Sequence, residues 1–113
     1  LKKISIGMPM ALNSLFFEEN SHDLSPEAKA ELEDVAVLLA NNSGVRIRIA
    51  GYCSGGESDP SALSAQRARN IADFLAFRGI SISRISVEGR GAASGAISPA
   101  KQRKAEIIVS ANK

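Results

Sequence analysis

Apolar and charged side chains alternate along one segment, Val45 to Gly51, which reads Val-Arg-Ile-Arg-Ile-Ala-Gly. A period of two is typical of a strand that buries one face and exposes the other. We therefore predict a half-buried strand over 45–51 that ends at a glycine. Two more strands are predicted at 85–88 and 105–110, where β-branched residues concentrate.

Residues that are typical of a helix N-terminus predict where the first helix begins. Ser25 is the expected N-cap, Pro26 takes the first helical position and Glu27 lies in the first turn. The apolar residues that follow recur at helical spacing and share one face: Ala28, Leu32, Val35 and Leu39. Asn41, Asn42 and Gly44 are expected to end this helix.

A second helix follows a loop over 54–60 that is rich in turn-forming residues. We expect Ser61 or Ser64 to cap it. The helix should continue to Arg78 and end at Gly79, with Ala68, Ile71 and Leu75 facing inward.

The order of these elements predicts the fold class. A strand at 12–17 precedes the first helix, a shorter one is possible at 4–6, and 89–99 reads as a flexible loop. The prediction is an α/β (α+β) two-layer sandwich, β-α-β-α-β-β, with two helices on one mixed four-stranded sheet whose last two strands pair antiparallel. The expected core comprises Leu32, Val35, Ile47, Ile49, Ile71, Leu75, Val87, Ile107 and Val109.

Arg67 is the leading candidate for a ligand-binding residue. It lies four and eight residues before Ile71 and Leu75, which places it on the sheet-facing stripe of the second helix. We expect it in or next to the first turn, beside free helix amides, where a guanidinium would form a receptor for a carboxylate. Its removal should then abolish ligand binding and leave thermal stability nearly unchanged. The alternative is an ordinary surface arginine whose stem covers apolar area.

Composition limits the function classes. A chain of 113 residues with 44% hydrophobic content suits one domain, 1–113. Fourteen basic and 12 acidic residues are interspersed, and there is no Trp, so nucleic-acid binding has no support. No apolar run has the length of a membrane span, and we expect the chain to be part of a longer protein.

Residues for catalysis or cofactor binding are scarce. His22 is the only histidine and Cys53 the only cysteine, so neither a His-based metal cluster nor a catalytic triad can be assembled. We expect Cys53 to be a small, buried core residue at the end of a strand. We expect a protein that is not an enzyme and that needs no metal or cofactor.

Motifs along most of the chain resemble the OmpA-like domain, the peptidoglycan-associating module of outer-membrane proteins, flagellar-stator proteins and peptidoglycan-associated lipoproteins. The matching residues are Phe17, Asn20-Ser21, Leu24, Pro26, Gly51-Tyr52, Leu63-Ser64, Arg67-Ala68, Leu75, Gly79-Ile80, Ile85, Gly89, Gly91 and 103–107. Their order and spacing carry the resemblance, since no single piece is diagnostic.

The resemblance implies a ligand and a site. In the family, an Asp after the central strand and the Arg matched by Arg67 together hold the diaminopimelate of the peptidoglycan stem peptide. The Asp position is Ser54 here, a neutral acceptor. Glu57 or Asp59 in the same loop could restore the charge from a shifted position. Leu63 and Arg103 are expected as neighbours of the pocket.

The leading expectation is a periplasmic module that binds peptidoglycan non-covalently and tethers an envelope protein, with the outer membrane as the expected anchor. The alternative is a structural subunit of an envelope-spanning secretion or motor assembly, in contact with other subunits, whose wall-binding pocket is degenerate. An acidic side chain that reaches the pocket would favour the first interpretation, and an empty, uncharged or occluded pocket would favour the second.

Overall fold

The structure, a computed structural model, describes residues 7, 12, 15–54, 57, 59–92 and 102–112. Two α-helices pack on a mixed sheet of three strands in the order β2-β1-β3, with β1 parallel to β2 and antiparallel to β3. In chain order the elements are α1 (Pro26–Ala40), β1 (Val45–Cys53), α2 (Pro60–Phe77), a 3₁₀ turn (Ile82–Arg84), β2 (Ile85–Ala92) and β3 (Ala105–Asn112). Within these ranges, no helix is both long and apolar enough to cross a membrane.

The predicted four-stranded sheet has three strands within the described residues. Of the strand expected at 12–17, the structure describes residues 12 and 15–17, and there Phe16 forms an isolated antiparallel bridge with Lys104. The backbone N–H of Ala105 donates to the carbonyl of Leu15 at 3.0 Å, so this segment runs beside the start of β3. The loop expected at 89–99 is wrong for residues 89–92, which continue strand β2, and its remaining residues lie outside the described ones, as does the shorter strand expected at 4–6.

The expected pairing of the last two strands is wrong, because β1 lies between them. Ile49 is opposite Val87 of β2 on one side and Ile107 of β3 on the other. The chain crosses over α2 before β2, which brings β2 in parallel to β1, as such a crossover requires. β3 pairs with the other edge of β1.

Both ends of α1 follow the sequence signals. The Ser25 side chain accepts from the N–H of Ala28 at 3.0 Å, Pro26 begins the helix, and Asn41 is its C-cap. The last turn also receives a cation from outside the helix. Arg84 Nη2 donates to the carbonyl of Leu39 at 2.8 Å, which satisfies an acceptor that the helix end leaves unpaired.

The core lies between the helices and the sheet, and eight of the nine predicted core residues are buried. The exception is Val87, which is 37% exposed. It lies on β2, at an edge of the described sheet, so one of its sides has no neighbouring strand. Its partner Ile49, on the central strand, is fully buried.

Two glycines allow α2 to rest directly on the strand ends. A Cβ added to Gly51 would lie 1.9 Å from the carbonyl oxygen of Ser64, and one added to Gly89 would lie 2.6 Å from the amide of Ala65. Ser64 Oγ also accepts from the N–H of Gly91 at 3.0 Å. These contacts fix the N-terminal half of α2, the part that carries Arg67, against the C-terminal ends of β1 and β2.

Candidate functional site

The start of α2 differs from the prediction. Asp59, rather than Ser61 or Ser64, is the N-cap, and its side chain accepts from the N–H of Ala62 at 3.4 Å. The helix therefore begins at Pro60, and Arg67 lies two turns into it. The expected position beside free helix amides is wrong, because those amides belong to the first turn.

Arg67 is fully buried, and all five of its N–H donors have acceptors. Nε donates to the carbonyl of Ser21 at 2.8 Å. Nη1 donates to the carbonyl of Tyr52 at 3.0 Å and to Glu57 Oε1 at 2.9 Å. Nη2 donates to the carbonyl of Glu18 at 3.1 Å and to Glu57 Oε2 at 2.5 Å. The guanidinium thus holds one carboxylate with two parallel bonds, the strongest arrangement available to it.

Glu57 is the partner, and its side chain is also fully buried. Its carboxylate accepts two further bonds, from the N–H of Ser54 at 2.9 Å and of Asn20 at 2.7 Å. Burial by itself raises the pKa of Glu57, but the hydrogen bonds from Arg67, Ser54 and Asn20 outweigh it and lower the pKa to about 2. Glu57 is therefore ionised at neutral pH.

A turn over 18–21 closes the site. The N–H of Ser21 donates to the carbonyl of Glu18 at 3.0 Å, and Asn20 has a φ of 55°, a left-handed conformation that Asn tolerates. The Phe17 ring lies 5.1 Å from Arg67 Cζ and covers the guanidinium. Sequence reasoning missed this role, since the turn acts mainly through backbone atoms that no residue type reveals.

The expected site residues are only partly brought together by side-chain contacts. Ser54 is buried and contributes its backbone N–H to Glu57. Arg103 Nε donates to the carbonyl of Phe17 at 3.0 Å, so it is linked to the site through the residue that covers Arg67. Leu63 is half-buried on α2.

The two acidic candidates have different positions. Glu57 reaches Arg67, whereas Asp59 is exposed and caps α2. The expectation that Arg67 could be removed with little loss of stability is reversed by this geometry, because its removal leaves the Glu57 carboxylate buried without its cation.

The chemistry of this arrangement is recognition of a carboxylate. Cys53 is buried as expected, and burial raises the pKa of its thiol, which disfavours the reactive thiolate. In the part of the chain that the structure describes, no three His, Cys, Asp or Glu residues are placed to hold a metal ion.

Comparison with known proteins identifies relatives of similar sequence. The model of the OmpA family matches residues 16–108. The chain is 32% identical over 115 residues to the probable lipoprotein YiaD of Escherichia coli K12 and 34% identical over 101 residues to the peptidoglycan-binding protein ArfA of Mycobacterium bovis. These matches cover 95% and 82% of this chain but 51% and 31% of the relatives, so the chain spans about half of YiaD and a third of ArfA.

Solved structures share the fold. The peptidoglycan-associated lipoprotein of Burkholderia pseudomallei superposes with a TM-score of 0.80 at 22% identity, over 88% of this chain and 92% of that one. The C-terminal domain of Helicobacter pylori MotB gives a TM-score of 0.78 at 18% identity, over 88% and 86%. With the family model matched across most of its length, the chain belongs to the OmpA family.

Proposed function

We propose that this domain binds peptidoglycan non-covalently in the periplasm and anchors a longer envelope protein or complex to the cell wall. Family membership supports the proposal, as do the names of two relatives, the peptidoglycan-binding protein ArfA and the peptidoglycan-associated lipoprotein. No catalytic step is part of the proposal. Attachment to the outer membrane is part of the proposal, and a lipid anchor, which the name of the probable lipoprotein YiaD indicates for that relative, would provide it.

The observation that carries the proposal is the carboxylate held by Arg67. A guanidinium that binds Glu57 with two bonds at the end of β1 has the geometry to bind a stem-peptide carboxylate. Asp59 is the exposed acidic side chain of the same loop, so we assign it to the ammonium group of diaminopimelate. Ser54, Leu63 and Arg103 are the proposed neighbours.

Co-sedimentation with purified sacculi tests the proposal. The wild-type domain should pellet with sacculi whose stem peptides contain diaminopimelate and pellet less with sacculi that contain lysine at that position. Asp59→Asn should weaken binding, and it keeps a good N-cap because Asn and Asp cap helices about equally well. Asp73→Asn is the matched control, since Asp73 is an exposed carboxylate further along α2. Failure of both the wild-type domain and a Glu57→Gln variant to pellet with either kind of sacculi would refute the function.

One observation favours a second candidate, a structural subunit of an envelope-spanning assembly. All five donors of Arg67 are occupied internally, and the side chains of Arg67 and Glu57 are both fully buried, so the pocket is closed. This candidate gains support if neither the wild type nor a Glu57→Gln variant binds sacculi.

A further inference from the structure

The Arg67 receptor is already filled by a group of this chain. Glu57 makes the same two-bond contact with the guanidinium that a ligand carboxylate would make. We infer that Glu57 is an internal competitor of the ligand carboxylate, so that the site rests closed and binds only after Glu57 has separated from Arg67. This inference rests on the proposed peptidoglycan-binding function and adds a resting state to it.

Glu57 competes strongly with a ligand carboxylate because its own carboxylate is held by several hydrogen bonds. Besides Arg67, its carboxylate accepts from two backbone amides, those of Asn20 and Ser54. These four bonds use the acceptor capacity of an ionised carboxylate. Glu57 is also tethered to the chain, so its effective concentration at Arg67 is far higher than that of a free ligand. A ligand must replace these bonds or find the site already open.

The turn over 18–21 is the element that must move. It contributes the carbonyls of Glu18 and Ser21 to Arg67 and the N–H of Asn20 to Glu57, so it is bonded to both halves of the ion pair. The side chains of Glu18 and Asn20 are exposed. By contrast, α2 is fixed on the sheet by close contacts at Gly51, where no side chain separates helix from strand. Opening is therefore expected at the turn, with α2 in place.

Because only open molecules bind the ligand, the apparent affinity equals the intrinsic affinity multiplied by the fraction of molecules that are open. Removing the negative charge of Glu57 should raise the open fraction and tighten binding. We expect Glu57→Gln to bind a muropeptide that ends in diaminopimelate at least about tenfold more tightly than the wild type, by titration calorimetry. Glu27→Gln is the matched control. It removes an exposed carboxylate from the first turn of α1 that is hydrogen-bonded to neither Arg67 nor Glu57, so its affinity should equal that of the wild type.

A measurement on the wild type keeps the inference testable if Glu57→Gln folds poorly. The amides of Asn20 and Ser54 donate to Glu57 and should lose protection from hydrogen exchange when saturating muropeptide displaces it, as followed by NMR. Amides in the middle of β1, such as that of Ile49, should keep their protection.

The outcomes separate the inference from the proposed function. Wild-type binding with protected Asn20 and Ser54 amides, or weaker binding by Glu57→Gln than by the wild type, would overturn the competitor role and leave peptidoglycan binding intact. Binding by Glu57→Gln alone would support the competitor role. Absence of binding by both proteins would overturn the competitor role together with the proposed function.

Discussion

Two Arg–Glu pairs with nearly equal contacts lie on opposite faces of the sheet. On the helix-covered face, Arg67 Nη2 is 2.5 Å from Glu57 Oε2, and both side chains are fully buried. On the uncovered face, Arg90 Nη2 is 2.6 Å from Glu88 Oε1, and the side chains are 39% and 38% exposed. The contact distance alone does not separate them, so the difference in energy must come from solvent.

The exposed pair belongs to a shared network. Glu88 Oε1 also lies 3.1 Å from Arg48 Nε, and Arg90 Nη1 donates to Tyr52 Oη at 2.7 Å. Water competes for each of these groups, so an individual pair contributes little to stability. The buried pair behaves differently. Its formation removes two charges from water, and the loss of one partner leaves the other uncompensated in the interior.

Tyr52 belongs to both regions, which shows how the strand divides them. Its carbonyl accepts from Arg67, while its hydroxyl lies on the other face and donates to Glu106 Oε1 at 3.2 Å. The carbonyl of Tyr52 therefore contacts the buried pair while its side chain contacts the exposed network, as expected where side chains alternate between the faces of a strand.

The largest expected effect comes from breaking the buried pair. Arg67→Ala should lower the free energy of unfolding by about 3–5 kcal/mol, because Glu57 is left buried without its cation. Urea denaturation measures the change. Arg78→Ala is the control, since Arg78 pairs with Glu33 at the exposed end of α2 and its loss should cost about 1 kcal/mol or less. A loss below about 1 kcal/mol for Arg67→Ala would contradict the burial of the pair.

Lowering the pH should also remove the contribution of the buried pair to the free energy of unfolding. The folded pKa of Glu57, about 2, lies below its ordinary value of 4.5, so its contribution is complete above pH 4.5 and disappears as the pH falls through about 2. This contribution is on the order of 3 kcal/mol. Glu57→Gln lacks it, so the difference in unfolding free energy between wild type and variant should shrink over that range. The control Glu27→Gln should follow the acid limb of the wild type, and a constant difference for Glu57→Gln would contradict the shift.

The smallest effect is expected on the uncovered face. Arg90→Ala should lower the free energy of unfolding by about 1 kcal/mol or less, because solvent already screens its contact with Glu88. The difference from wild type should fade further in about 1 M salt, where the screening length is about 3 Å. Urea titrations at low and high salt provide the test. A loss above about 2 kcal/mol that salt does not change would remove the contrast between the two pairs.

Local signals in the sequence predicted much of the fold. Ser25 and Pro26 predicted the start of α1, because capping depends on residues that are adjacent in the chain. The alternation after Val45 predicted the buried face of β1, because a strand turns each side chain by half a revolution. The order and spacing of the family motifs also predicted the fold. The same motifs indicated Arg67 as the candidate ligand-binding residue.

Some local predictions failed where tertiary context decided. Val87 has the pattern of a core residue, but its exposure depends on whether another strand lies beside β2. Asp59 capped α2 ahead of Ser61 and Ser64, so the helix began earlier and moved Arg67 away from the free amides. Asp and Ser both cap helices well, so residue type alone did not decide which of the three begins the helix.

The sequence by itself determined that an arginine stands on the sheet-facing stripe of α2, with two acidic residues in the loop before it. Only the tertiary structure decided that Glu57, and not Asp59, meets that arginine, and that the turn over 18–21 closes over the pair. The physical reason is distance along the chain. The acceptors at Glu18 and Ser21 lie 49 and 46 residues from Arg67 and are backbone atoms, so their place depends on how the chain returns and not on which side chains it carries there.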